Sequence, residues 1–111
     1  NWGALKWGWQ SFTDVFTMGL KEIKAIAPGK PLAIAEIGCT PGTGKAAWVT
    51  DSFAKAQAAG ARMLVWFEHN KETDWRLSSD AQVAAAAKTA ATQPGWVSGG
   101  DYNKVKAALG L

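Results

Sequence analysis

The sequence has one cysteine and one histidine among 111 residues. A lone Cys39 excludes an internal disulfide and leaves the redox compartment open. A lone His69, with Glu68, Glu72 and Asp74 nearby, follows no diagnostic ligand spacing, so neither a metal nor another cofactor is expected. A concentration of one charge is missing too. The formal net charge is +3, and Lys21, Lys24, Lys45, Lys55, Lys71 and Arg76 are scattered, which argues against a nucleic-acid partner. No apolar run approaches membrane-spanning length and no stretch has the pattern of a signal peptide. With 48% hydrophobic and only 19% charged residues, the chain is suited to collapse rather than to stay a disordered tail. Its length suits one domain with a modest core.

What the chain has in excess is tryptophan, seven in all. Trp2, Trp7, Trp9 and Trp66 lie close together or near a strand end, and Trp75 falls in a polar loop. Indole faces suit sugar rings or a protein interface. Trp48 is expected in the core.

The chain is organised around Pro31-Leu32-Ala33-Ile34-Ala35-Glu36-Ile37-Gly38. Its apolar run reads as a strand buried on both faces, with Glu36 where the strand leaves the sheet. Before it, Phe12, Val15, Phe16, Leu20, Ile23 and Ile26 or Ala27 recur at helical spacing, behind a cap at Ser11 or Thr13 and ahead of Pro28-Gly29. After it, Thr43 can cap a helix from about Lys45 to Ala59. Arg62 to Phe67 reads as a second strand, starting roughly 30 residues after the first, the length of a right-handed βαβ unit. A polar loop from Glu68 to Arg76 follows, then an alanine-rich helix capped by Ser78 or Ser79. Residues 94–111 read as a linker with a short helix, Tyr102 to Leu109, apart from the main body at 1–93. Two buried parallel strands cannot satisfy both sheet edges, so the chain reads as part of a larger α/β domain, completed by further chain or by a partner.

Four stretches could carry chemistry. Pro41-Gly42-Thr43-Gly44-Lys45 follows a strand and opens a helix, as a phosphate loop does. However, Cys39 stands where the first glycine belongs, and Ala46 replaces the hydroxyl residue that holds Mg²⁺. His69 with its carboxylates is the metal candidate. Cys39, between a strand end and a helix, is the thiol candidate. Glu36 is the fourth. Glycoside hydrolysis needs two carboxyl groups flanking the scissile bond, one of them a nucleophile in retaining enzymes. Within this chain the second could only be Glu68 or a residue of the loop after it.

Lys30 to Gly38 resembles the seventh strand of clan A glycoside hydrolases, whose (β/α)8 barrels carry the nucleophile there. Val65-Trp66-Phe67 followed by Asn70-Lys71-Glu72-Thr73-Asp74-Trp75-Arg76 resembles the eighth strand and loop of family 26 glycosidases, the β-mannanase family. Asn1-Trp2-Gly3 with Trp9-Gln10-Ser11-Phe12 resembles the stretch after their sixth strand. The resemblance covers about residues 1 to 90. It implies the C-terminal portion of a TIM barrel, from helix 6 through strand 7, helix 7 and strand 8 to helix 8, with Glu36 as the catalytic nucleophile. It further implies that Trp66 is a sugar platform, that Trp75 and Arg76 shape or brace the active-site loop, and that Asn1 and Trp2 lie near the rim, with Glu68 as a further substrate-binding candidate. The implied partners are a polysaccharide, mannan first, and the rest of the barrel. The implied location is extracellular. The family's acid/base glutamate, from the fourth strand, has no counterpart here, so the isolated chain is expected to be inactive. The alternative is a non-catalytic carbohydrate-binding or interaction module that uses exposed tryptophans.

Overall fold

Helix α1 (Phe12–Ile26) starts where the chain supplies a reciprocal cap. The Asp14 N–H donates to Ser11 Oγ at 3.2 Å, and the Ser11 N–H donates to the Asp14 carboxylate at 2.8 Å. Strand β1 (Leu32–Ile37), helix α2 (Lys45–Ala58), strand β2 (Ala61–Trp66), helix α3 (Ala81–Ala91) and helix α4 (Tyr102–Leu109) follow in the computed structural model, which describes residues 1–97 and 99–110. Ser98 and Leu111, within the expected 94–111 tail, lie outside the described residues. At residues 94–96, Gln57 Nε2 donates to the Pro94 carbonyl at 2.8 Å, and Trp96 meets Phe53 edge-on at 5.6 Å.

The two strands pair in parallel across α2, and among the described residues the sheet has two strands. Phe12, Leu20, Leu32, Ile34, Ile37, Cys39, Trp48, Ala56 and Ala61 form one core between α1, one face of the sheet and α2. Val49, Val83 and Ala87 form a second between α2 and α3. Each large apolar side chain buried there contributes roughly 1.5–3 kcal/mol.

Several sequence expectations change. β1 is buried on one face: Leu32, Ile34 and Ile37 are buried, whereas Ala33, Ala35 and Glu36 are exposed. On α1 only Phe12 and Leu20 are buried; Val15, Ile23 and Ile26 are exposed, because nothing described packs on that side of the helix. Gly44, not Thr43, precedes α2 and provides no side-chain cap. Asp80, not Ser78 or Ser79, caps α3, its carboxylate accepting from the N–H groups of Gln82 and Val83 at 2.8 and 2.9 Å. Aspartate sits well there because it satisfies two otherwise unpaired amides.

The strand ladder is irregular at a telling place. Ile34 pairs with Leu64 and Ile37 with Trp66, so three steps along β1 match two along β2. The extra residue is a bulge at Ala35-Glu36. Strict alternation from Leu32 and Ile34 would send Glu36 into the core. The bulge instead turns Ala35 and Glu36 outward in succession and returns Ile37 to the core.

Candidate active-site cleft at the strand ends

The bulge opens Glu36 onto a cleft of about 460 Å³ at the C-terminal ends of the strands. Trp2, Trp7, Phe67, Lys71, Glu72 and Trp75 line it with Glu36. Parallel α/β folds place ligands at this end of the sheet. Glu36 is exposed, and no hydrogen bond or ion pair engages its carboxylate among the described residues.

The indole of Trp75 is only 5% exposed and forms part of the cleft wall. It lies against bare backbone: a Cβ at Gly38 would stand 3.1 Å from its ring, a tight contact that the indole could meet only by shifting a few tenths of an ångström. Trp2 meets it edge-on, with centroids 4.8 Å apart. Trp75 Nε1 donates to Glu72 at 3.4 Å, and its carbonyl accepts from Trp66 Nε1 at 2.9 Å.

Of the residues expected in the site, Glu36, Trp2 and Trp75 come together, whereas Trp66, Glu68 and Arg76 lie outside the cleft lining. Trp66 is half-buried against the core, edge-on to Trp48 at 6.1 Å, and its N–H holds the Trp75 backbone. Glu68 binds the chain just after Arg76. Its carboxylate accepts from the N–H of Leu77 at 2.7 Å, and from the N–H and hydroxyl of Ser78 at 3.0 and 2.6 Å. Partial burial works against its charge, but those three donors outweigh it and hold the carboxyl below the ordinary range. Arg76 instead forks onto Asp74, Nε to Oδ1 and Nη2 to Oδ2, both at 2.8 Å. This pairing carries the Asp74 carboxyl down to about 2.

The other carboxylate of the cleft, Glu72, is held by Lys71 at 3.0 Å. That ammonium, with further hydrogen bonds, keeps the Glu72 carboxyl below the ordinary range. It therefore stays ionised near neutral pH, the wrong state for a general acid.

The remaining candidates find structural uses. Cys39 is fully buried, and burial pushes its thiol above the ordinary value, so it is a poor nucleophile. His69 is exposed and meets Phe67 edge-on at 6.0 Å, and among the described residues it joins no cluster of three or more His, Cys, Asp or Glu side chains. The phosphate-loop glycines seat the Trp9 indole: a Cβ at Gly42 or Gly44 would come within 3.0 Å of its ring. Lys45 is buried at 2% exposure and donates to the carbonyls of Asp74 and Arg76 at 2.9 and 3.0 Å. Burial lowers its pKa. A lysine spent on two backbone carbonyls is a strap for the loop that carries Trp75, not a phosphate ligand.

Sequence reasoning missed Asn1 as an organiser. Its side-chain oxygen accepts from the N–H groups of Gly3 and Gln10 at 3.0 and 3.2 Å, and its amide donates to Cys39 Sγ at 3.4 Å. Nothing in the local sequence marked that role, because Gln10 and Cys39, two of its partners, lie 9 and 38 residues away.

No protein-family model matches the chain. Over 96 residues it is 38% identical to Endoglucanase H of Acetivibrio thermocellus, a match that covers 81% of this chain and 10% of that protein. The chain is thus related in sequence to part of a glycoside hydrolase, and spans about a tenth of that relative's length.

Proposed function

We propose that the chain is the C-terminal part of a retaining (β/α)8 glycoside hydrolase resembling family 26, acting outside the cell on a β-linked polysaccharide. The observation that carries this reading is the bulge that turns Glu36 out of the core into a tryptophan-lined cleft at the strand ends. Three further observations support it. The sheet face bearing Ala33, Ala35, Met63 and Val65 is exposed. The two-stranded sheet has outer edges with no strand partner among the described residues. The chain is related to a stretch of an endoglucanase. The family 26 resemblance favours mannan, and the relative's name favours a β-glucan.

In this mechanism a Glu36 carboxylate oxygen attacks the anomeric carbon as the glycosidic bond breaks. The departing oxygen takes a proton from an acid supplied by the rest of the barrel. Water then cleaves the glycosyl ester and frees Glu36. Indole faces along the cleft would hold the sugar against it. Since Glu72 is held ionised, the chain itself offers no acid in the cleft among the described residues, and general acid catalysis is typically worth ~10²–10⁴-fold.

An activated 2-deoxy-2-fluoro glycoside, whose leaving group needs no protonation, tests the nucleophile. Peptide mapping should find the label on Glu36 and none in Glu36→Gln. Labelling elsewhere would overturn the assignment. Turnover of β-glucan or mannan by the isolated chain, abolished in Glu36→Gln, would overturn the missing-acid part of the reading.

A second reading, a carbohydrate-binding or interaction module, draws on exposed Trp7 and Trp9. It cannot draw on Trp75, which is buried.

A further inference from the structure

Trp7 lines the cleft and has no individual role in the glycosidase reading above. It is 75% exposed, the most exposed of the tryptophans. Its backbone has φ 57, the only positive value at a non-glycine residue among those described. A bulky side chain is disfavoured there, so the fold holds Trp7 in that conformation against its local preference.

The holding device is a tight hairpin. Gly3 and Gly8 form an antiparallel bridge, at φ +55 and +75. Within it, the Leu5 N–H donates to the Trp2 carbonyl and the Lys6 N–H to the Gly3 carbonyl, both at 3.2 Å. The neighbouring indoles have found packing: Trp2 against Trp75, and Trp9 over the glycines of residues 42–44. For Trp7 the ring contact is Lys6, whose ammonium sits 4.5 Å from the Trp2 ring and 5.7 Å from the Trp7 ring. That distance is within cation–π reach.

We infer that Trp7 is a sugar-stacking platform at the mouth of the Glu36 cleft, binding a glycosyl unit of a β-linked chain away from the point of cleavage. This inference rests on the reading of the cleft as a glycosidase site. A strained, exposed indole continuous with Glu36 and the Trp2–Trp75 pair presents an apolar face to the C–H side of a pyranose ring, and Lys6 can meet hydroxyl groups beside it. The same face would attract a protein partner, but the shared cleft with an unengaged carboxylate favours the sugar.

Calorimetric titration of the 111-residue chain with β-1,4-linked gluco- and manno-hexasaccharides and disaccharides tests this. Trp7→Gly should weaken hexasaccharide binding by about tenfold, leave disaccharide binding unchanged, and leave Tm equal or higher, because glycine relieves the positive φ. Trp7→Phe should retain part of the affinity. Unchanged hexasaccharide binding in Trp7→Gly, an equal loss for both ligand lengths, or a fall in Tm would each overturn the platform. So would the absence of hexasaccharide binding by the unmodified chain. The labelling of Glu36 is read independently of all these outcomes.

Discussion

The two faces of one small sheet have opposite surroundings. On one, Leu32, Ile34 and Ile37 are buried, and Leu64 and Trp66 pack against them and the helices. On the other, Ala33, Ala35, Met63 and Val65 are exposed beside Glu36. The strands are the same, so the difference lies in what covers them. The covered face holds this chain together. The bare face, with its small and apolar side chains, carries the carboxylate.

The sharpest way to break this contrast is to truncate on each side of it. Trp48→Ala, in the covered core, should cost about 3–5 kcal/mol in urea unfolding. Met63→Ala, on the bare face, should stay within about 0.5 kcal/mol. Comparable losses at both positions would mean that the bare face is packed in solution, and the contrast would fail.

The next largest effect concerns the loop over the strand ends. Lys45→Met would leave the Asp74 and Arg76 carbonyls without their buried donor, at a cost of about 1–3 kcal/mol. Amide exchange should quicken across residues 68–77 while the β1–β2 ladder keeps its protection. Equal quickening in both regions would show that Lys45 supports the whole fold rather than this loop.

How far the sequence foretold this arrangement depends on the range of the signal. The helices and strands were legible because local spacing and glycine–proline punctuation mark them, although only the cap of α1 was read among its alternatives and those of α2 and α3 fell on neighbouring residues. The placement of Glu36 at a strand exit was legible for the same reason. Its outward direction was not, since it depends on a bulge created by the pairing of two strands, and alternation alone points Glu36 inward. Trp75 read as a loop residue, yet Gly38 across the cleft gives its ring a buried seat. Lys45 read as a failed phosphate ligand because its carbonyl partners lie 29 and 31 residues away. The exposed stripe of α1 looked like core because periodicity reveals an apolar face without revealing what covers it.

A smaller effect separates α3 from the sheet. Asp80→Ala should cost about 1 kcal/mol by removing the acceptor for two amides at the start of α3. Helical signal should be lost first in residues 81–84, with the Glu36 cleft unperturbed by chemical shift. A shift spreading to Trp75 would tie α3 to the site more closely than the packing shows.

The smallest effect is electrostatic and belongs to the loop alone. The Arg76 fork holds the Asp74 carboxyl at about 2, below its ordinary value of 3.8. Folding therefore gains from this pair at any pH above about 4, and the gain is lost as the pH falls through about 2, where Asp74 takes up a proton in the folded chain too. The pair is open to water, so the effect is screened and should fade with added salt. A carboxyl-carbon NMR titration should give Asp74 a midpoint near 2, and Asp74→Asn should remove that component of acid sensitivity. A midpoint at the ordinary value would show the fork open in solution, leaving Lys45 and Glu68 as the groups that hold the loop over the cleft.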